Sequence, residues 1–244
     1  MSKARFSVAS RTELLYGVHP IIECLKAKKR KILSFYTTKP FPKAWKRIKP
    51  YLPSRLPNVQ HVSREALTRL AGSPDHMGIV AAVSPFKYAT NLKKASEKPR
   101  LLLLDGVQDV GNLGAILRSA YCTNIDGVVL CRKRGALLTP AVFKASAGLA
   151  EHLPIYLVDS LPQAVRELKE LGYHMYMAVA QDGDDASDVA FKLPHCLVIG
   201  SEEKGIDEKI RGMGHRVTLP QRDTSSYNAS VAAGIFLFLS AYGR

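Results

Sequence analysis

The chain has 244 residues, a hydrophobic content of 46% and a formal net charge of +14. That length suits one large domain or two smaller ones, and the apolar content is ordinary for a globular protein. A membrane span is excluded: the longest apolar run, Val231 to Tyr242, is too short and too broken by small and polar residues to cross a bilayer.

The N-terminus lacks an apolar h-region, so no signal peptide is expected, and the basic stretch Met1 to Arg11 reads as a short disordered tail. Cys24, Cys122, Cys131 and Cys196 form no CxxC pair and sit in apolar contexts, which predicts buried thiols in a reducing compartment. The seven histidines show no metal-ligand spacing, so no metal is expected. The charge is unevenly placed. Residues 1–98 carry 20 Lys and Arg against 5 Asp and Glu, while residues 99–244 carry 15 against 16. A basic front and a neutral remainder are the footprint of a module that touches a polyanion, joined to one that does something else.

In chain order, residues 12–88 read as a small α/β unit. Gly17-Val-His-Pro20 leads into a helix, Ile21 to Ala27, closed by the basic run Lys26 to Lys31, since cations suit a helix C-terminus. Ile32 to Tyr36 is a strand and Lys43 to Tyr51 a basic helix carrying Trp45. Val59 to Val62 is a strand, Arg64 to Leu70 a helix, and Ile79 to Val83 a strand. Lys and Arg beside Trp45, Tyr36 and Tyr51 suit RNA backbone contact and base stacking. The linker falls at residues 89–98, Lys-rich and without periodicity. Residues 99–244 then alternate strands (Arg100–Leu104, Gly127–Leu130, Ile155–Val158, Met175–Ala180, Cys196–Ile199, Val217–Leu219) with helices (Leu113–Tyr121, Pro140–Ala147, Leu161–Leu171, Asp207–Met213, Ser230–Tyr242). That pattern predicts a mostly parallel sheet covered on both faces, with ligands at the strand C-terminal ends.

Three loops carry the chemistry. In the first, Asp105 to Ala120, the residues Leu113, Ile116, Leu117 and Ala120 share one helical face. Arg118 lies four and seven residues after Gly114 and Gly111, and helical side chains lean towards the N-terminus. Arg118 is therefore expected to run over the two glycines and present its guanidinium at the strand end near Asn112. No GxGxxG dinucleotide fingerprint is present. In the second, Leu197 to Ile206, Gly200 is expected to let a ligand approach the backbone and Gly205 to make the turn. The third, Leu219 to Leu239, passes Pro220 into a polar loop and a helix capped by Ser226 or Asn228. Its first turns are small (Ala229, Ser230, Ala232, Ala233, Gly234), and Gly234 is expected to meet something packed close.

Together the loops resemble the SpoU (TrmH-like) family of RNA ribose 2′-O-methyltransferases in the SPOUT class. NxGxxxR matches Asn112, Gly114 and Arg118. GSExxG matches Gly200, Ser201, Glu202 and Gly205. The third motif matches Ser226, Asn228, Ser230, Val231, Ala232 and Gly234, with Tyr227 where the family usually has Leu. Residues 14–84 resemble, more weakly, the family's L30e/L7Ae-like substrate-binding domain. The resemblance implies a SPOUT-type α/β fold with a parallel sheet and a C-terminal deep trefoil knot. It implies a cytoplasmic homodimer joined through the C-terminal domain, acting on RNA rather than DNA.

It also implies S-adenosylmethionine as cofactor, held by Gly200, Leu219, Tyr227, Ser226 and Ala229. The expected reaction is 2′-O-methylation of a ribose in large-subunit ribosomal RNA, with guanosine favoured. Arg118 is expected to be catalytic, gripping a phosphate or stabilising an alkoxide, since a guanidinium gives up a proton poorly. Asn112 and Asn228 are expected to orient Arg118 and the ribose, and Glu202 to anchor the site as an acceptor. The rival readings are a tRNA ribose methyltransferase, an RNA-binding ribosome-assembly factor without catalysis, and a nucleotide-dependent oxidoreductase. Intact Asn112, Arg118, Glu202 and Asn228 argue against the second, and the missing glycine fingerprint argues against the last.

Overall fold

A computed structural model describes residues 12–90, 92, 97–222 and 226–243. The basic stretch Met1 to Arg11 lies outside them. The chain divides into two compact units between Lys87 and Tyr88.

The first unit runs β1 (Glu13–Tyr16), α1 (Val18–Ala27), β2 (Ile32–Thr37), α2 (Trp45–Ile48), β3 (Asn58–His61), α3 (Arg64–Ala71) and β4 (Ile79–Val83). Its sheet has the order β1-β4-β2-β3. β4 pairs antiparallel with both neighbours and is buried along its whole length, which explains its unbroken apolar sequence. The edge strand β1 has no counterpart in the sequence reading. It holds Arg30, whose buried guanidinium pairs with Glu13 at 2.7 Å and donates to the Ser84 carbonyl at 2.8 Å. α3 is capped by Ser63, whose hydroxyl accepts from the Ala66 N–H at 3.2 Å.

The basic helix predicted over Lys43 to Tyr51 is one turn, α2, followed by a 3₁₀ turn at Lys49–Tyr51. Pro50 has no N–H to extend it. Trp45 and Tyr36 are core residues rather than surface platforms. Tyr51 is exposed, with the Lys26 ammonium 5.2 Å from its ring centre.

The second unit runs β5 (Arg100–Asp105), α4 (Val110–Cys122), β6 (Gly127–Cys131), α5 (Pro140–Ala145), β7 (Ile155–Val158), α6 (Leu161–Glu170), β8 (His174–Ala178), β9 (Asp184–Asp185), β10 (His195–Gly200), α7 (Glu208–Arg211), β11 (His215–Thr218) and α8 (Ala229–Tyr242). All seven strands are parallel, in the order β7-β6-β5-β10-β8-β11-β9. β6 and β10 are wholly buried, as strands covered on both faces are. From β5 the chain passes through β6 to β7, then crosses to β8 and β10 on the other side of β5. The strand order therefore reverses between β5 and β10, where Asp105 and Gly200 are register partners. Open parallel sheets bind ligands at such a switch point.

Helix α4 buries Leu113, Ile116, Leu117 and Ala120, the face its periodicity predicts. Ala89, inside the predicted linker, forms a parallel bridge to Tyr156 of β7, its N–H donating to the Ile155 carbonyl at 2.8 Å. Cys24, Cys131 and Cys196 are buried, but Cys122 at the end of α4 is exposed, because it follows the buried stripe by two positions.

Candidate functional site at the strand C-termini

The first loop leaves β5 through Gly106, whose φ of 81° suits glycine, and reaches α4 at Asp109. The Asp109 carboxylate caps the helix, accepting from the Asn112 N–H at 2.7 Å. That fixes the first turn and turns the Asn112 side chain to the second loop, where its amide donates to Glu202 Oε1. The first two motifs are thus joined directly.

The second loop is a tight turn after β10. Ser201 and Gly205 exchange backbone hydrogen bonds of 3.1 and 2.9 Å, and Gly205 has a φ of 63°. A Cβ on Gly200 would lie 2.1 Å from the Gly205 carbonyl carbon. Gly200 is therefore required by the turn's own closure, and it also lines the cavity described below. Gly234, expected to be tightly packed, has only Ser119 Oγ at 3.6 Å from its would-be Cβ. Its place in α8 does not depend on close approach.

In the third loop Asn228 is the cap. Its side-chain oxygen accepts from the Ser230 N–H at 2.9 Å and the Ser230 hydroxyl at 2.6 Å. Tyr227 donates its hydroxyl to the Pro220 carbonyl at 3.1 Å, closing the loop on itself. Residues 223–225 of this loop lie outside the described residues.

These turns enclose a cavity of about 330 Å³ at the ends of β8, β10 and β11. Gly200, Leu219, Ser226, Tyr227 and Ala229 all line it, and so does Glu202. The sequence reading does not reach the other wall: Ala178 to Ala180 at the end of β8, Ile199, and Phe236 about two turns inside α8. Those are ordinary apolar residues, and only the strand order brings them here. Asn112 reaches this wall through Glu202. Arg118 is exposed, and among the described residues no hydrogen bond or ion pair engages it. Among the described residues neither Asn112 nor Asn228 bonds Arg118: one amide holds Glu202 and the other caps α8. The expected path over two glycines is corrected. Gly114 is buried, and a Cβ there would stand 2.3 Å from Ala145 Cβ on α5. The glycine serves helix packing.

A charge cluster absent from the sequence reading ties the loops together. Asp105, wholly buried at the end of β5, accepts from the Asp207 N–H at 2.7 Å. Arg134, from the loop after β6, sets its Nε 3.1 Å from Asp105 Oδ1 and bonds Asp207 with Nη1. The contact to Oδ1 is an ion pair without hydrogen-bond geometry. Burial pushes the Asp105 carboxyl above the usual carboxylate range, and the Asp207 N–H and Arg134 pull it back. Asp207 is held low, first by the Lys209 N–H and then by Arg134.

Arg134→Ala should cost roughly 1–3 kcal/mol at neutral pH, because it leaves a buried carboxylate without its cation. The sign with pH follows. Removing the cation raises the folded-state pKa of Asp105 further, so the variant loses stability as pH climbs through the carboxylate range. The gap from wild type should shrink in acid, where both forms are protonated. Denaturant melts at several pH values measure this, and a pH-independent gap would contradict it.

A single-sheet α/β unit with a cavity at its strand C-termini is a ligand-binding architecture, and the comparisons specify its class. The SpoU rRNA Methylase family matches residues 99–238, and the RNA 2′-O ribose methyltransferase substrate binding family matches residues 14–89. A protein of Staphylococcus haemolyticus described as a TrmH family tRNA/rRNA methyltransferase is 35% identical over 188 residues, covering 74% of this chain and 75% of that one. The SpoU methyltransferase AviRb from Streptomyces viridochromogenes, solved with AdoMet, superposes with a TM-score of 0.80 at 20% identity, covering 94% of this chain and 89% of that one. An AdoMet-bound rRNA methyltransferase from Sinorhizobium meliloti gives 0.77 at 21% identity, with 94% and 87% coverage. The chain belongs to the SpoU family and is an RNA methyltransferase of that family.

Proposed function

We propose that the protein transfers a methyl group from S-adenosylmethionine to a ribose 2′-hydroxyl of large-subunit ribosomal RNA. The observation that carries this is the cavity, because the second and third motif loops form its walls and the first is bonded to it through Asn112 and Glu202. Its volume falls within the range of small-ligand sites. Its backbone groups at Gly200 and Leu219 suit an adenine edge, Phe236 and the alanines suit the ring face, and Glu202 and Glu203 suit a cationic ligand. When bound, the cofactor supplies an activated methyl group. The chain's share is then positional and electrostatic. The cavity fixes the direction of transfer, Arg118 holds phosphate or the developing alkoxide, and Asn228 keeps its amide N–H groups for the ribose.

An RNA substrate is supported by the substrate-binding unit at residues 14–89 and its basic composition, and the ribosomal kind by the description of the family that matches residues 99–238, SpoU rRNA Methylase. The knot is supported by family membership and by the Gly200 and Leu219 loops sharing one cavity. A cytoplasmic homodimer is the proposed working form. Val231, Phe238 and Tyr242 stand exposed at spacings of seven and four on α8, one unpartnered face. Phe236 and Leu237 of the same helix instead enter the core of their own unit. Among the described residues no helix is long and apolar enough to cross a membrane.

RNA from cells lacking the gene, treated with the protein and labelled cofactor, should gain a 2′-O-methyl mark in large-subunit RNA. A mark confined to tRNA would replace the substrate, and no mark in any RNA would end the reading. Calorimetry on the full chain should show S-adenosylmethionine binding. Tyr227→Ala should weaken it roughly five- to tenfold, the loss of one aromatic wall.

A further inference from the structure

Between Glu23 and Glu65 the chain has no acidic residue and twelve Lys and Arg. In the middle of this segment, in the turn after β2, Phe41 stands 48% exposed. It is not loose. Its ring stacks on Trp45 at 4.7 Å between centroids and 22° between planes, and His61 meets its edge at 5.1 Å. Trp45 is in turn buried and packs edge-on against the core residue Phe35 at 5.3 Å. The three rings form a column that starts in the hydrophobic core and ends at an open aromatic face.

The turn carrying that face is fixed. Pro40 and Pro42 bracket Phe41 and restrict its backbone. The Thr38 hydroxyl donates to the Pro40 carbonyl at 3.1 Å, His61 Nδ1 lies 3.2 Å from the Thr38 carbonyl, and the Trp45 N–H donates to the Pro42 carbonyl at 2.9 Å. Pro42 seats against Gly78, where a Cβ would come within 3.0 Å. Lys39, Lys43 and Lys46 around it are exposed.

We propose that Phe41, backed by Trp45 and edged by His61, is the stacking platform for an unpaired base of the RNA substrate, with Lys39, Lys43 and Lys46 on the adjoining phosphates. This rests on the RNA-methyltransferase reading and assigns a place to its substrate contact. A rigid, exposed ring on a turn flanked in sequence by exposed lysines matches single-stranded nucleic acid, whose bases offer a flat face and whose backbone offers the charge. A duplex keeps its bases stacked internally, so the occupant is a loop, bulge or end.

The test uses full-length protein and two probes: a short single-stranded oligoribonucleotide containing 2-aminopurine, and a hairpin carrying 2-aminopurine in its loop. Wild type should bind both and quench the fluorophore. Phe41→Ala should weaken binding about tenfold, within the range for one stacked base, and abolish the quench. Phe41→Trp should retain both. Phe41→Leu keeps apolar area without a π-face and should behave like Phe41→Ala. Replacing Lys39, Lys43 and Lys46 together by Ala should reduce the salt slope by about 2. Equal affinity and equal quench in wild type and Phe41→Ala would overturn the platform and leave the RNA reading standing. Full binding by Phe41→Leu would overturn it in favour of apolar docking. Failure of wild type to bind any RNA would instead remove the reading on which the platform rests.

Discussion

Arg118→Ala should lower methyl transfer by about 10²-fold or more, the scale of losing one stabilising donor, and leave S-adenosylmethionine affinity nearly unchanged. Arg118 does not line the cavity, so ground-state cofactor binding has no stake in it. It is exposed and unpaired among the described residues, so its removal breaks no hydrogen bond or ion pair there and fold stability should hold. Arg118→Lys keeps the charge but loses the planar fork that grips two phosphate oxygens at once, so it should retain part of the activity. The pH–rate profile separates the two roles. A free-base guanidine would make the rate climb far into the alkaline range, and lysine, with its lower intrinsic pKa, would carry that rise to lower pH. An Arg118→Lys profile displaced in that way would establish a base. An unchanged profile at a uniformly lower rate supports electrostatic action.

The parts of this molecule legible in its sequence are those whose cause is local. The strands of the second unit read as apolar runs because parallel strands covered on both faces have no polar side to show. The stripe on α4 is legible because 3.6-residue periodicity is a property of one helix. The Gly200–Gly205 turn is legible because glycine permits the backbone such a turn needs, although the collision a Cβ on Gly200 would make with Gly205 and Ile206 shows only in three dimensions. What stayed hidden depends on distant segments meeting. β1 is four residues at a sheet edge, and β9 only two, too short to show a period. The Asp105–Arg134–Asp207 cluster joins three strand ends, and nothing in the sequence around Arg134 points to a carboxylate 29 positions earlier. Trp45 lies buried beneath the exposed Phe41 because the turn, not residue type, decides which ring covers the other.

Gly114→Ala should destabilise the second unit by about 3 kcal/mol, the upper end for an overpacked site. Helix propensity alone argues the reverse, since alanine in a helix interior is favoured over glycine by about 1 kcal/mol. Geometry decides. The new methyl would sit 2.3 Å from Ala145 Cβ and 2.9 Å from both the Ser146 nitrogen and the Val142 carbonyl oxygen. Two of those three atoms are backbone, so no rotamer change relieves them, and α4 and α5 must move apart. Adding Ala145→Gly removes the nearest atom and leaves the backbone contacts, so it should rescue only part of the loss. Gly234→Ala is the internal control: its methyl would meet only Ser119 Oγ at an ordinary 3.6 Å, and propensity should make it neutral or slightly stabilising. Thermal melts of the three variants beside the wild type read the series directly. If Gly114→Ala leaves the melting temperature unchanged and abolishes methyl transfer, the glycine serves a path for Arg118 after all. A large drop in melting temperature, partly restored by Ala145→Gly, assigns it to the packing of α4 on α5, which holds Asn112 in reach of Glu202.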